Sequence, residues 1–261
     1  MNNKILIAID AMGGENAPKK NIEGISIFLN KNKNKNDFFF NLYGDQNLIL
    51  KELNKHKINQ NFYKIFHSST IVSDEETPLT AIKNSKDSSM WNAINSQTEF
   101  KSNITLSAGN TGVLFVVSRM LLKTIESVSK PALAGLWPNK KNMNVVLDLG
   151  ANIECDDNNL VDFAEMGSAL YKALFPEDSA KVALLNIGSE EIKGTENLKK
   201  AYSKLKEISK YGDFYFDGFI EGNKITNGDS NVIVTDGFTG NIALKTAEGT
   251  VKFITDSLKK S

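Results

Sequence analysis

The sequence predicts an α/β protein with a Rossmann-like, mostly parallel sheet flanked by helices. Two observations predict it. Short apolar strands alternate with amphipathic stretches of helical length along nearly all 261 residues, and strands joined by helices lie parallel, covered on both faces. Five strands also run straight into turns rich in Gly, Asn and Asp, with a helix start close behind, at 5–14, 104–112, 145–152, 182–190 and 232–241. Turns of this kind gather at the carboxyl ends of parallel strands, where α/β proteins bind ligands. The expectation is one sheet with all five turns along one edge, in a single α/β domain over 1–261.

The elements follow in order. Behind the first strand, Pro18 fits the first turn of a helix whose Ile22, Ile25, Phe28 and Leu29 make one apolar face. The run NKNKNKN at 30–36 adds nothing to a core and reads as a solvated loop before a strand at 38–43 that ends at Gly44. A helix over 46–56 and a short strand at 62–66 come next. Pro78 opens a helix over 79–84, and 88–96 forms another. Behind the strand at 104–107, residues 111–124 carry Val113, Val116, Val117, Met120 and Leu121, apolar enough for a helix packed on the sheet. A second very polar stretch lies at 139–144. Helices are expected over 160–175 and 195–210, strands at 214–220 and 232–235, and a long final helix from about Asn241 to Leu258.

Composition excludes several classes. Thirty-one basic and 31 acidic residues leave no net charge, so broad electrostatic binding of nucleic acid is not expected. No apolar run approaches the ~20 residues that span a bilayer, and the first strand leads into an acidic glycine turn rather than a signal-peptide pattern. One cysteine, Cys155, cannot form an internal disulfide and fits a reducing cytoplasm. His56 and His67 are too few and too poorly spaced for a zinc site. No metal and no cofactor are expected.

The turns do not carry nucleotide fingerprints. Neither Asp10-Ala11-Met12-Gly13-Gly14-Glu15 nor Ser107-Ala108-Gly109-Asn110-Thr111-Gly112 has G-x-G-x-x-G spacing, and no G-x-x-x-x-G-K-[ST] loop occurs. Cys155 sits among carboxylates that would raise its thiol pKa, which suits a structural role better than a nucleophile. What remains is a set of backbone donors, short polar side chains and a few lysines. Asn110 and Thr111 stand at a helix start, Asn152 follows Gly150, Lys193 lies in a compact loop between Gly188 and Gly194, and Lys245 follows Asn241 by four positions. Glycine turns and helix starts offer N–H groups to an anion.

Such a site suits an anionic nucleophile and a good leaving group. Inorganic phosphate attacking a thioester meets both conditions, since a thiol has a pKa of about 8.5. Rate would come from placing phosphate against the carbonyl and from fixed donors facing the developing oxyanion. The residues expected to carry catalysis are Asn110, Asn152, Lys193 and Asn241. Those expected to bind substrate are Asp10, Gly13, Gly14, Gly109, Thr111, Gly112, Gly188, Glu190, Asp236, Gly240 and Lys245.

These motifs, taken in order, resemble a known family. They are Asp10-Ala11-Met12-Gly13-Gly14, Thr77-Pro78 with Asp87-Ser88-Ser89-Met90, Ser107-Ala108-Gly109-Asn110-Thr111-Gly112 and Ser129-Lys130-Pro131-Ala132-Leu133. Leu147-Asp148-Leu149-Gly150-Ala151-Asn152, Asn186-Ile187-Gly188-Ser189-Glu190 with Lys193-Gly194, and Thr235-Asp236-Gly237-Phe238-Thr239-Gly240-Asn241 with Leu244-Lys245 complete the set. From residue 5 to about 250 the chain resembles the bacterial phosphate acyltransferases of phospholipid synthesis, which act on fatty acyl–acyl carrier protein.

The resemblance implies a fold related to phosphotransacetylases, no metal or nucleotide, and a homodimer. It implies transfer of a long-chain acyl group from acyl carrier protein to inorganic phosphate. The acyl phosphate would feed a membrane acyltransferase that acylates glycerol 3-phosphate, so a cytoplasmic enzyme with peripheral membrane contact is expected. Glu15 replaces the family's Asp, and Phe219, Asn223 and Lys224 stand where the family has Asn and Arg-Asp. The family pattern runs on past Ser261, so a chain incomplete at its C-terminus is expected. A short-chain phosphotransacetylase acting on acyl-CoA and a non-catalytic homologue are the alternative readings.

Overall fold

The computed structural model describes residues 4–73, 80 and 85–259, and divides into two compact units, Met1–Lys123 and Thr124–Ser261. The helix expected over 79–84, with Pro78 at its start, lies outside the described residues except for Thr80.

Four strands form the sheet of the first unit: β1 (Ile5–Asp10), β2 (Phe38–Gly44), β3 (Tyr63–His67) and β4 (Ile104–Leu106). All pair in parallel, in the order β3-β2-β1-β4. Helices α1 (Lys19–Lys31), α2 (Gln46–Lys55), α3 (Ser89–Thr98) and α4 (Thr111–Leu122) accompany them. Alternation along β1 assigns its two faces. Ile7 and Ile9 pack with Ile22, Ile25 and Leu29 of α1 and with Ile49 and Leu53 of α2. Ala8 points the other way, against Ala93 of α3. Each fully buried Ile or Leu in this core contributes roughly 1.5–3 kcal/mol, which is why these periodic positions define the elements. The chain lays β2 and β3 on one side of β1 and then returns to add β4 on the other. That reversal is a topological switch point, the place where open α/β sheets form a crevice beyond their carboxyl ends.

The second unit holds β5 (Gly135–Pro138), β6 (Met143–Leu147), β7 (Lys181–Asn186), β8 (Tyr215–Glu221) and β9 (Val232–Val234), in the order β5-β6-β9-β7-β8. Only β5 is antiparallel to its neighbour. Helices α5 (Asp157–Leu174) and α6 (Glu196–Ile208) bury Phe163, Ala164 and Leu205 against Val182, Leu184 and Val232. Helix α7 (Gly237–Leu258) adds Leu244 to the core of the opposite face.

Two expectations are corrected, on the sheet and on the last helix. The strands belong to two sheets, so the five glycine turns form a pair at the edge of one sheet and a trio at the edge of the other. The polar stretch after Pro138 is a hairpin turn between β5 and β6, in which Asn139 Oδ1 accepts from the N–H groups of Lys141 and Asn142. The last helix starts at Gly237, because Asp236 caps it by accepting from the Thr239 N–H at 2.8 Å. Pro18 stands at the N-cap of α1, one residue before the helix proper. Among the described residues no helix is long and apolar enough to cross a membrane.

Candidate active site

The crevice of the first unit is built by the turns behind β1 and β4. Asp10 ends β1 and is 2% exposed. Its Oδ2 accepts from Ser107 Oγ at 2.7 Å, and Ser107 Oγ accepts from the Gly109 N–H at 3.1 Å. The two turns press together so closely that a Cβ at Gly13 would stand 2.9 Å from both Gly109 N and Ser107 Oγ. Gly14 has φ +86°, open to glycine at little cost. Asn21 of α1 fixes the first turn, donating to the carbonyls of Ala11 at 2.9 Å and Gly13 at 3.0 Å.

Asn110 caps α4, its Oδ1 accepting from the Val113 N–H at 3.1 Å. Thr111 and Gly112 are the first residues of that helix, so their N–H groups have no helical partner and carry the positive end of its dipole. The first unit thus gathers seven expected site residues, Asp10, Gly13, Gly14, Gly109, Asn110, Thr111 and Gly112, at one switch point. Burial pushes the Asp10 carboxyl above the usual carboxylate range. The nearby Ser89 and Ser107 hydroxyls and the Met12 and Gly13 backbone offset this only in part.

The trio of the second unit is arranged differently. Its centre is Asp148, fully buried just beyond β6. Oδ1 accepts from the N–H groups of Leu133, Gly150 and Ala151, and Oδ2 from the N–H and side-chain Nδ2 of Asn152, all at 2.8–3.2 Å. The N–H groups of this turn therefore point inward to a carboxylate. Asn152 spends its amide on Asp148 and on the Pro131 carbonyl at 2.8 Å. Asn241 lies in the second turn of α7, and its Nδ2 donates to the Leu149 carbonyl at 3.2 Å. Gly237 donates its N–H to the Asn152 carbonyl, and Gly240 packs on Asp148.

On the neighbouring loop, Asn186 at the end of β7 donates to the Lys193 carbonyl at 3.1 Å, and the Lys193 N–H bonds the Glu190 carbonyl at 3.0 Å. A Cβ at Gly188 would meet Glu190 Oε2 and Lys193 Cγ, so this loop folds onto itself. Lys245 extends along α7 and pairs with Glu248 at 2.8 Å, away from the turns. Burial pushes the Cys155 thiol up, which keeps it in its unreactive form.

Sequence reasoning placed Ser107 and Asp148 only inside motifs and gave neither a role. The signal was their position one residue past a strand, which cannot show how many donors will converge there.

Fold and site together define an α/β protein of the doubly wound class, with glycine turns and a helix start gathered at a sheet edge. The chain matches the fatty acid synthesis protein family over residues 5–261. It is 55% identical over its whole length to a phosphate acyltransferase of Pelagibacter ubique, covering 77% of that protein, and 39% identical to one of Caulobacter vibrioides, covering 71%. The chain belongs to this phosphate acyltransferase family. Among solved structures it is similar to the EutD phosphotransacetylase from Staphylococcus aureus, with a TM-score of 0.66 at 14% identity over 96% of this chain and 83% of that one. A branched-chain phosphotransacylase from Enterococcus faecalis gives a TM-score of 0.56 at 13% identity over 93% and 83%. At such identities the likeness shows the shared fold alone.

Proposed function

We propose that the chain moves a long-chain acyl group from acyl carrier protein to inorganic phosphate, giving free carrier thiol and an acyl phosphate for phospholipid synthesis. Acyl transfer to phosphate is the chemistry of its family. The observation that carries the long chain is a cavity of about 350 Å³ in the first unit, beside the switch point. Ile7, Ile9, Ile25, Phe28 and Leu106 make its walls apolar, and it reaches Asp10 and Ser107 at the sheet edge. A tail lying there would bring its carbonyl to the paired turns. Phosphate held by the Thr111 and Gly112 N–H groups would then attack, with the amide of Asn110 and the same backbone donors facing the oxyanion. One such donor contributes roughly 3 kcal/mol to a transition state.

In the second unit Lys193 is proposed as a cation for anionic substrate, on the loop that carries Gly188 and Glu190. Asn152 and Asn241 are proposed to act through the turns they hold, with Asp236 and Gly240 beside them. A second copy is proposed to cover the apolar part of α7, where Val251, Phe253, Ile254 and Leu258 are all more than half exposed. The working location is the cytoplasm, with peripheral contact at the membrane where the product is used. Neither nucleic acid nor a cofactor takes part.

The test is phosphate-dependent thiol release from palmitoyl carrier protein, palmitoyl-CoA and acetyl-CoA in parallel. Highest kcat/KM with the carrier-bound long chain is expected. Preference for acetyl-CoA would favour a short-chain phosphotransacetylase, and no release from any donor would favour a non-catalytic protein.

A second prediction tests the cavity. Gly24 of α1 lines it, and a Cβ there would meet nothing within 4 Å. A glycine inside a helix costs about 1 kcal/mol relative to alanine, and no close contact requires this one. Gly24→Phe is expected to fold normally and to raise KM for a palmitoyl donor about tenfold, as about two methylenes worth about 0.8 kcal/mol each lose their place. KM for a butyryl donor should change less than about twofold, since a short tail leaves most of the cavity unused.

A further inference from the structure

We propose that Asp10 and Ser107 form a proton relay that protonates the carrier sulfur as it leaves. The inference rests on the acyl-transfer reading and adds to it the source of the proton. Asp10 is buried at 2% exposure, and its Oδ1 meets no hydrogen-bond partner. Such a group is costly to keep unless it serves a purpose. Ser107 stands beside it at the same sheet edge, 2.7 Å from Oδ2, and is itself only half-buried. The pair therefore leads from a buried carboxyl to the surface of the crevice. Gly13 closes its other side, since a Cβ there would come 2.5 Å from Oδ2.

The donor count gives the pair its direction. Ser107 Oγ has two lone pairs and one proton. The Gly109 N–H fills one lone pair at 3.1 Å. When Asp10 is neutral the 2.7 Å bond reverses: Asp10 donates through Oδ2 to the other lone pair, and the serine proton turns outward. The desolvation that raises the Asp10 pKa favours this neutral form.

The step balances. A hydrogen phosphate dianion forms the new C–O bond, the C–S bond breaks, and its electron pair leaves with sulfur. Ser107 gives its hydroxyl proton to that sulfur and takes the Asp10 proton in the same event. The acyl phosphate formed is a stronger acid than the hydrogen phosphate that entered, so its P–OH proton passes to Ser107 as the serine proton returns to Asp10. No external acid is consumed.

The test varies the leaving group. Two donors share one acyl chain, a pantetheine thioester and a p-nitrothiophenyl thioester, whose thiolate leaves without help. General acid catalysis contributes about 10²–10⁴-fold, so Asp10→Asn and Ser107→Ala should each lower kcat/KM for the pantetheine donor about 100-fold or more. Loss with the p-nitrothiophenyl donor should stay below about tenfold, and the double variant should be no worse than the poorer single one, as for residues acting as a unit. Equal losses with both donors would overturn the relay. Ser107→Ala leaves the carboxyl in place, so the test does not depend on Asp10→Asn folding. An unmodified chain that releases thiol from neither donor would remove the acyl-transfer reading, and the relay with it.

Discussion

Gly240→Ala is expected to cost the second unit about 3 kcal/mol or more in urea denaturation. A Cβ at this position would fall well inside van der Waals contact of the Asp148 carbonyl oxygen, and 2.9 Å from Thr235 Cγ2. Overpacking costs about 1–3 kcal/mol where flexible side chains can yield. Here the obstacle is backbone. Asp148 is held by its own N–H on the Thr235 carbonyl at 3.0 Å and by the five bonds to its carboxylate, so it cannot retreat without breaking them. Gly249, farther along the same helix, supplies the contrast. A Cβ there meets nothing within 4 Å, so Gly249→Ala should gain about 0.5–1 kcal/mol from helix propensity. Opposite signs from two glycine-to-alanine changes on one helix separate close approach from propensity. A loss below about 1 kcal/mol for Gly240→Ala would mean that the two turns are not pressed together.

Most elements were legible because hydrophobic period reports element type directly. Ile22, Ile25 and Leu29 announce α1, and Val113 and Val117 announce α4, by spacing alone. Period does not report neighbours, so the division of the nine strands among the described residues between two sheets could not be read. Strand β5 has no signal of its own in the sequence: it is four residues long, ends at Pro138 and borders the polar Asn139, all of which an antiparallel edge tolerates. The start of α7 was misplaced because Gly237 and Gly240 look like turn residues. They belong to the helix because Asp148 and Asn152 leave no room for side chains at either position.

The five turns also look alike in sequence and differ in use. The turn behind β4 ends in a helix whose Thr111 and Gly112 N–H groups have no helical partner, whereas the turn behind β6 directs three N–H groups onto Asp148. A repeated strand–glycine–Asn pattern marks a layer of the fold. Only the direction of the donors says which turns can hold an anion, and that depends on whether a carboxylate lies beneath them.

Asp148→Asn is expected to be the most destabilising conservative change in the second unit, at about 4 kcal/mol by urea denaturation. The carboxylate accepts five bonds, and an amide has one oxygen. Whichever way the substituted side chain were turned, its NH2 would face at least two N–H donors that now have an acceptor. Each bond to a charged group contributes about 1.5–3 kcal/mol, and each donor stranded in the core adds a desolvation cost. Hydrogen exchange should quicken at 148–152 and around Gly237, whose N–H is held by the Asn152 carbonyl at 2.8 Å. Asp10, at the end of β1 in the first unit, predicts the reverse. Its Oδ2 accepts from Ser107 at 2.7 Å while its Oδ1 lacks a partner, so Asp10→Asn should cost under about 1 kcal/mol of stability while lowering turnover. Two buried aspartates, each at the end of a strand, are thus expected to respond oppositely, one in stability and the other in turnover. A stability loss at Asp10 as large as that at Asp148 would show that both are structural.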